Sequence, residues 1–434
     1  MSNIEERKVE LVKNLIRKLH EGVKPEELSK EFSDILKQVS PFEIALIEQQ
    51  LVKEGLGVSE ILKLCDLHVQ LFREYLASRE LRGVPEGHPL DLLLKENELI
   101  LKWGEVLGVY ASAILRSECE DLKDAFQQLL RVLESLRNVR LHYRKVQMLI
   151  FPYLERRGIV AVPRVLWGRE DQVIQKIREL RALTEKAQGD EKLIKEVASK
   201  AVEISREISE LVFRENKILF PAVWVLFTEG EWAAIGEIGR DIGYLVPVSV
   251  EWKPAAKPLM PYEITPAVTK EQAEALPPEF RELALKKLEA DTYEVRKEGD
   301  IELSTGFLSK EEVEAIFESL PLELTYADEN DRVRFYTKSK FSKGFVRTKT
   351  IIGRRLLFCH PPRLEGMVKV NVERLKKGEE FREYWTKQGD RIIRVLVAAV
   401  RDGEGKYLGT LEVVEDLTEV IKNPEEIIKK VMVL

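Results

Sequence analysis

Histidine is the sparsest source of chemistry in this 434-residue chain, present only as His20, His68, His88, His142 and His360. His88 stands between Gly87 and Pro89 where a long helical pattern begins, and His142 lies ten residues before Pro152 in the next one. Imidazoles on adjacent helices of a bundle can meet at a metal, and carboxylates beside them make an oxygen-rich set that suits iron. Histidines serving only as core or surface hydrogen-bonding groups fit the same positions, so both readings stay open. Cys65 and His68, three apart, share a helix face and read either as half of a metal or haem pocket or as an inter-helix seam. Further on, Phe358, Cys359 and His360 precede two prolines that bar helix continuation. A histidine or cysteine at such a break can be a haem axial ligand or a simple helix cap. Tyr336, Phe358 and Trp385 can line an apolar pocket there, with Arg347 to meet an anionic head group, or they can be plain core.

These residues sit in elements of changing period. Residues 1–82 read as short helices, with Val9, Leu11, Val12, Leu15, Ile16 and Leu19 on one stripe and Ser40-Pro41-Phe42-Glu43 as a capped helix start. Residues 84–244 carry four long amphipathic patterns, near 88–116, 120–156, 163–188 and 191–228. An internal echo links Gln147-Met148-Leu149-Ile150-Phe151-Pro152 to Asn216-Lys217-Ile218-Leu219-Phe220-Pro221, sixty-nine residues later. Paired helices of this length predict an up-down four-helix bundle, with each proline bending its helix so that the bundle is kinked at equivalent places in both halves. Residues 245–300 form a Pro-rich linker that marks a boundary, with a short helix near 279–290. Residues 301–421 then change to period two, with strands near 322–328, 332–337, 380–388, 391–401 and 407–415 around a helical interval, which predicts one antiparallel sheet with helices on one face.

Composition narrows the function. Lys plus Arg number 69 against 75 Asp plus Glu, a net charge of −6, so dedicated nucleic-acid binding is disfavoured. The three cysteines form no CxxC pair and fit a reducing cytoplasm, and the longest apolar run, Ile218 to Phe227, is too short to span a bilayer. The wealth of charged residues suits a thermophile's ion-pair networks. No P-loop, GxGxxG, GxSxG or HExxH is present, and the chain reads as non-catalytic.

The bundle resembles the hemerythrin-like (HHE) cation-binding domain, through Gly87-His88-Pro89-Leu90 and His142-Tyr143-Arg144-Lys145 running into Leu149-Ile150-Phe151-Pro152. Phe213-Arg214-Glu215-Asn216 and Phe220-Pro221 repeat the pattern. Residues 1–82 resemble the helical domain of unknown function that commonly precedes it, through Ser40-Pro41-Phe42-Glu43 and Leu64-Cys65-Asp66-Leu67-His68. The C-terminal part is similar to a PAS domain, through Leu303-Ser304-Thr305-Gly306, Cys359-His360-Pro361-Pro362 and Gly409-Thr410-Leu411-Glu412. The resemblance implies iron in the bundle, with His88, Asp91, His142 and Glu215 as surviving candidate ligands. Where the family has a second histidine this chain has Asp91, and where it has ligand glutamates before each helical proline this chain has Gln147 and Asn216. Amides cannot bridge two irons as carboxylates do.

The expectation is therefore an α+β multidomain chain: an all-α N-terminal unit, a hemerythrin-like four-helix bundle and a PAS domain. Its expected role is a cytoplasmic sensor that binds haem or an apolar or anionic small molecule in the PAS cleft, with a degenerate bundle. A homodimer through the PAS domain and a downstream signalling partner go with that role. The competing expectation is an iron protein that binds or reduces dioxygen or nitric oxide.

Overall fold

The computed structural model of the chain describes residue 18 and residues 81–118, 121–187, 189–275, 289–340 and 345–432. The expected N-terminal helical unit, with His20, Cys65 and His68, lies outside the described residues apart from positions 18, 81 and 82, as does most of the expected helix near 279–290. Two compact units divide between Tyr293 and Glu294.

In the first unit, helix α1 spans Pro89–Arg116, α2 Leu122–Leu136, α3 Val139–Lys145 and α4 Phe151–Arg156. Helix α5 spans Ala161–Lys186, α6 Glu191–Arg214, α7 Phe220–Leu226 and α8 Glu229–Ile242. Helices α1, α2, α5 and α6 each pack on two of the others and close a four-sided bundle. Leu93, Ile100, Leu107, Ala111 and Ile114 of α1 face Val173, Ile177 and Leu180 of α5 and Ala201, Ile204 and Ile208 of α6 across one core. The second long pattern, read as one helix, is broken by a turn at 137–138 between α2 and α3.

The sequence echo has a structural counterpart. A π-helical turn, Val146–Ile150, joins α3 to α4, and another, Glu215–Leu219, joins α6 to α7; their starts are again 69 residues apart. Pro152 and Pro221 each occupy the first turn of the helix that follows. A proline has no N–H for the carbonyl one turn back, and widening that turn lets the chain stay helical around the missing bond.

The Pro-rich segment is a strap on the bundle. Its prolines hold it extended, which leaves carbonyls and N–H groups free for the helices beside it. Leu259 N–H donates to the Gly230 carbonyl at 2.9 Å, Tyr153 Oη to the Leu259 carbonyl at 2.7 Å, Arg156 Nε to the Pro261 carbonyl at 3.1 Å, and Gln272 Nε2 to the Leu226 carbonyl at 2.8 Å. Asp291 N–H also meets the Arg156 carbonyl, at 2.9 Å. The boundary expected within the proline-rich stretch thus falls after it.

In the second unit a hairpin of β1 (Ile301–Leu303) and β2 (Gly306–Leu308) precedes α10 (Lys310–Ser319), which starts with a Ser309/Glu312 capping box. Helix α9 (Lys270–Ala275) belongs to the strap. Strands β3 (Glu323–Asp328), β4 (Val333–Tyr336), β5 (Phe381–Gln388), β6 (Arg391–Arg401) and β7 (Tyr407–Asp416) form one antiparallel sheet in the order β4-β3-β7-β6-β5. Helix α11 (Pro362–Lys376) sets Val368 and Val372 against Ala327, which fixes the helix-covered face. The register Ala327↔Thr410 and Thr325↔Glu412↔Val397↔Arg382 places those residues on that face, alternating with Leu324, Tyr326, Leu411, Leu396, Phe381 and Trp385 on the other.

Gly87 controls the strap's start. It has φ +76°, and a Cβ there would stand 2.2 Å from the Val250 carbonyl oxygen. Gly87→Ala should therefore destabilise the first unit by about 2 kcal/mol through backbone strain and a displaced strap. Denaturant unfolding would measure the loss, and the fluorescence of Trp252, which stacks edge-on to His88 at 4.4 Å, should shift to the red.

Candidate functional site

The apolar stripes of the bundle are interrupted at one level by polar groups. Glu96 and Asn97 of α1, Glu170 of α5 and Glu215 at the second π-turn occupy positions where the helical period calls for a hydrophobic residue, and all four are buried. His142 and Lys145 of α3 are each 0% exposed.

His142 bridges two of the carboxylates. Its Nδ1 lies 2.7 Å from Glu96 Oε2 and its Nε2 2.8 Å from Glu215 Oε2. The Lys145 ammonium sits 3.0 Å from Glu96 Oε1 and donates to the Gly243 carbonyl at 2.8 Å and the Leu141 carbonyl at 3.2 Å. Leu245 N–H adds a 2.6 Å bond to Glu96 Oε1. Asn97 Nδ2 donates to Glu215 Oε2 at 2.8 Å and to Asn216 Oδ1 at 2.9 Å, and Gln147 Nε2 donates to Glu170 Oε2 at 2.6 Å.

The electrostatics follow from this geometry. Burial alone would lower the imidazole, but Glu215 and Glu96 outweigh it and push His142 up to about 9. Burial works against the Glu96 carboxylate too, yet His142, Lys145 and the Leu245 N–H hold it below the usual range. Glu170 is pushed up to about 8 by burial and by Glu215. Burial lowers Lys145, with Glu96 opposing. With Glu170 protonated at neutral pH, the carboxylates Glu96 and Glu215 face the cations His142 and Lys145, two against two.

A di-iron pair does not fit this donor set. It holds one imidazole, both of whose nitrogens are engaged by carboxylates, and an imidazolium has no lone pair for a metal. The amides Gln147 and Asn216 donate or accept hydrogen bonds within the cluster. Among the described residues no group of three or more His, Cys, Asp or Glu side chains is arranged to hold a metal ion. Buried oxygens without a hydrogen-bond partner nevertheless remain there: Glu170 Oε1, Glu215 Oε1, Asn97 Oδ1 and Tyr143 Oη.

Of the four residues expected as ligands, the structure brings His142 and Glu215 together and leaves His88 and Asp91 apart. Glu96 lies eight residues beyond His88 on α1, roughly 12 Å along the axis. His88 caps that helix, its Nδ1 accepting from Leu90 N–H at 3.1 Å, and its ring lies edge-on to Trp224, Trp232 and Trp252. Burial lowers it to about 4 despite Asp91, so it stays neutral. Asp91 accepts from Gly87 N–H and from Lys95 Nζ, both at 2.8 Å. Sequence reasoning missed Glu96, Lys145 and Glu170, for which the legible signal was a charged residue in phase with an apolar stripe.

In the sheet unit, Arg347 is already occupied. Its guanidinium pairs with Glu323, with Thr325 Oγ1 at 2.6 Å and with Glu412 at 2.8 Å on the helix-covered face. Asn371 Oδ1 of α11 accepts from Arg382 at 3.2 Å and from Tyr384 Oη at 2.6 Å. Cys359 and His360 close the short 3₁₀ turn Leu356–Cys359: Sγ lies 3.7 Å from the Arg355 carbonyl and Nδ1 3.0 Å from the Leu356 carbonyl. Burial pushes the Cys359 thiol up, against the thiolate an axial ligand needs. Phe358 and Trp385 are 50% and 52% exposed, and Trp385 stands on the face opposite α11, so these two do not line an enclosed pocket with Tyr336.

Three family models match successive parts of the chain: a family of unknown function (DUF438) at residues 12–78, the hemerythrin HHE cation binding domain at 88–223 and a PAS domain at 313–418. No curated protein matches it. Among solved structures, a C-terminal domain from Streptococcus mutans is 31% identical over 28% of this chain and 96% of its own, with a TM-score of 0.27. A sensory box sensor histidine kinase from Vibrio cholerae is 13% identical over 24% of this chain and 88% of its own, with a TM-score of 0.20. The chain is thus a hemerythrin HHE-domain protein, with a DUF438 segment before the bundle and a PAS domain after it.

Proposed function

We propose that this chain is a non-catalytic cytoplasmic sensor whose PAS domain takes a small polar or anionic ligand and whose bundle is held by its own ions in place of iron. The observation that carries the reading is the charge match at His142. Two carboxylates and two side-chain cations neutralise each other in a buried core, so no metal is needed to balance the charge. A ligand anion would compete for Arg347 with Glu323 and Glu412, and its release from β3 and β7 is a change that a partner or a second copy can read. Against haem stands the Cys359 thiol, which burial pushes away from the thiolate that an axial ligand needs. Phe381 and Trp385, 56% and 52% exposed on edge strand β5 at the face opposite α11, give a homodimer or a downstream partner an apolar surface.

The iron reading keeps one supporting observation, the buried unpartnered oxygens of Glu170 and Glu215. Metal analysis and an absorption spectrum of the full-length protein, expressed with added iron, separate the two. We expect far less than one metal per chain and no haem band; two irons per chain would overturn the proposal.

The charge match also sets a pH dependence. The folded state holds the His142 proton to about 9, against about 6.5 when the chain is unfolded. Its contribution is complete below about pH 6.5 and is lost as the pH rises through about 9, a fall of about 3 kcal/mol. Glu170, held protonated to about 8, acts in the same direction. Denaturant unfolding of the bundle should weaken over this window with or without a chelator, and the His142 ring should titrate near 9 by NMR. A ring titrating near 6.5 would contradict the ion match.

Lys145→Met tests the other cation. Removing the ammonium leaves Glu96 short of a partner in a sealed core and should cost about 3–5 kcal/mol. Arg347→Ala, by contrast, should leave the bundle's unfolding unchanged while abolishing any thermal shift that small carboxylates give the PAS domain of the full-length protein. An undiminished shift in that variant would remove Arg347 from the ligand site.

A further inference from the structure

The helix-covered face of the sheet carries two polar groups with an apolar strip between them. In register, Thr325, Glu412, Val397 and Arg382 stand in one row across β3, β7, β6 and β5, and Glu323, Val414, Val395 and Tyr384 stand in the next. Arg347 holds one end of these rows through Glu323, Thr325 and Glu412. At the other end Arg382 and Tyr384 both meet Asn371 of α11. Val395 and Val397, on the strand between, are aliphatic and only half-buried. With neighbouring strands about 4.8 Å apart, the backbones of Glu412 and Arg382 stand about 10 Å from each other.

Asn371 is left with half of its amide unused. The residue is 5% exposed, and its Oδ1 accepts from Arg382 at 3.2 Å and from Tyr384 Oη at 2.6 Å. An arginine can only donate, which fixes the amide with its oxygen toward Arg382 and its nitrogen away. Among the described residues nothing accepts from that nitrogen. Polar groups buried to this extent as a rule have a partner. Arg382 is underused as well: among the described residues its one hydrogen bond is to Asn371, and Glu379 approaches it at 3.6 Å. Spare N–H groups of an amide and a guanidinium side by side suit an acceptor with two oxygens, which a carboxylate supplies.

We infer that the ligand of the sheet unit is a short dicarboxylate, with one carboxylate on Arg347, the other on Asn371 and Arg382, and its methylenes over Val395 and Val397. The inference rests on Arg347 as the anchor in the proposed function and adds the second end. A monocarboxylate of the same length fills only one of the two ends and leaves the Asn371 nitrogen as it is.

Isothermal titration of the full-length protein with succinate, glutarate and adipate, and with butyrate and valerate, at constant ionic strength, tests it. We expect at least one dicarboxylate to bind at least about ten-fold more tightly than either monocarboxylate. Asn371→Asp keeps an oxygen for Arg382 and Tyr384 but sets a second carboxylate oxygen where the nitrogen stood. It should erase the advantage of the dicarboxylates while leaving monocarboxylate affinity and unliganded unfolding as in the parent. The comparison of the two acid classes on the parent protein decides the matter even where the variant is unstable. Equal affinities for the two classes, or an advantage that survives in Asn371→Asp, would overturn the inference and leave Arg347 as the anchor of a ligand with one charged end. No binding of any carboxylate would overturn both.

Discussion

The imidazole of His142, held between Glu96 and Glu215, is the interaction on which the bundle depends. Four charged side chains in a buried core carry a desolvation cost of several kcal/mol each, which only close pairing with good geometry offsets. The bundle supplies that geometry from all sides. Helix α1 brings Glu96, α3 brings His142 and Lys145, the second π-turn brings Glu215, and the chain after α8 closes the set through the Gly243 carbonyl and the Leu245 N–H. Tight helix packing around this level is therefore a requirement of the charges as much as of the leucines above and below it.

The π-turns explain how such a cluster fits into helices that otherwise repeat every 3.6 residues. Each widens the helix one turn before a proline, and the widened stretch carries Gln147 in one half and Glu215 with Asn216 in the other. The proline costs a backbone bond; the wide turn absorbs that loss and turns the polar side chains inward. The sixty-nine-residue echo in the sequence is thus the trace of one local device used twice around the same site.

What the sequence made legible follows from how local its causes are. The strands of the PAS domain begin and end within a residue or so of the expected limits, because alternation and tight turns such as Glu329-Asn330-Asp331 act over a few residues. The four-helix pattern was legible for the same reason, while the break at 137–138 was not, since Arg137 and Asn138 carry no proline or glycine to announce it. The strap was misread as a linker: composition shows that a proline-rich segment is extended, but not that Tyr153 and Arg156 will bond its carbonyls. The site was half legible. His142 and Glu215 stood out by type, His88 stood out equally and is a cap among tryptophans, and Lys145 passed unnoticed because a lysine in a charged helix reads as surface.

Gln147 shows most directly which chemistry the cluster is built for. Its amide nitrogen donates to Glu170 Oε2 at 2.6 Å, a bond that an ionised carboxylate in the same place could not make. A glutamate there would set a second carboxylate against one already pushed up to about 8 by burial and by Glu215, and the pair would demand a proton or a metal cation between them. With the amide, one proton on Glu170 suffices. Asn216 acts likewise beside Glu215, accepting from Asn97 where a second acid would add another uncompensated charge. The amides at 147 and 216 and the cations at 142 and 145 therefore act together: the amides lower the negative charge of the core, and the cations supply positive charge from the chain itself.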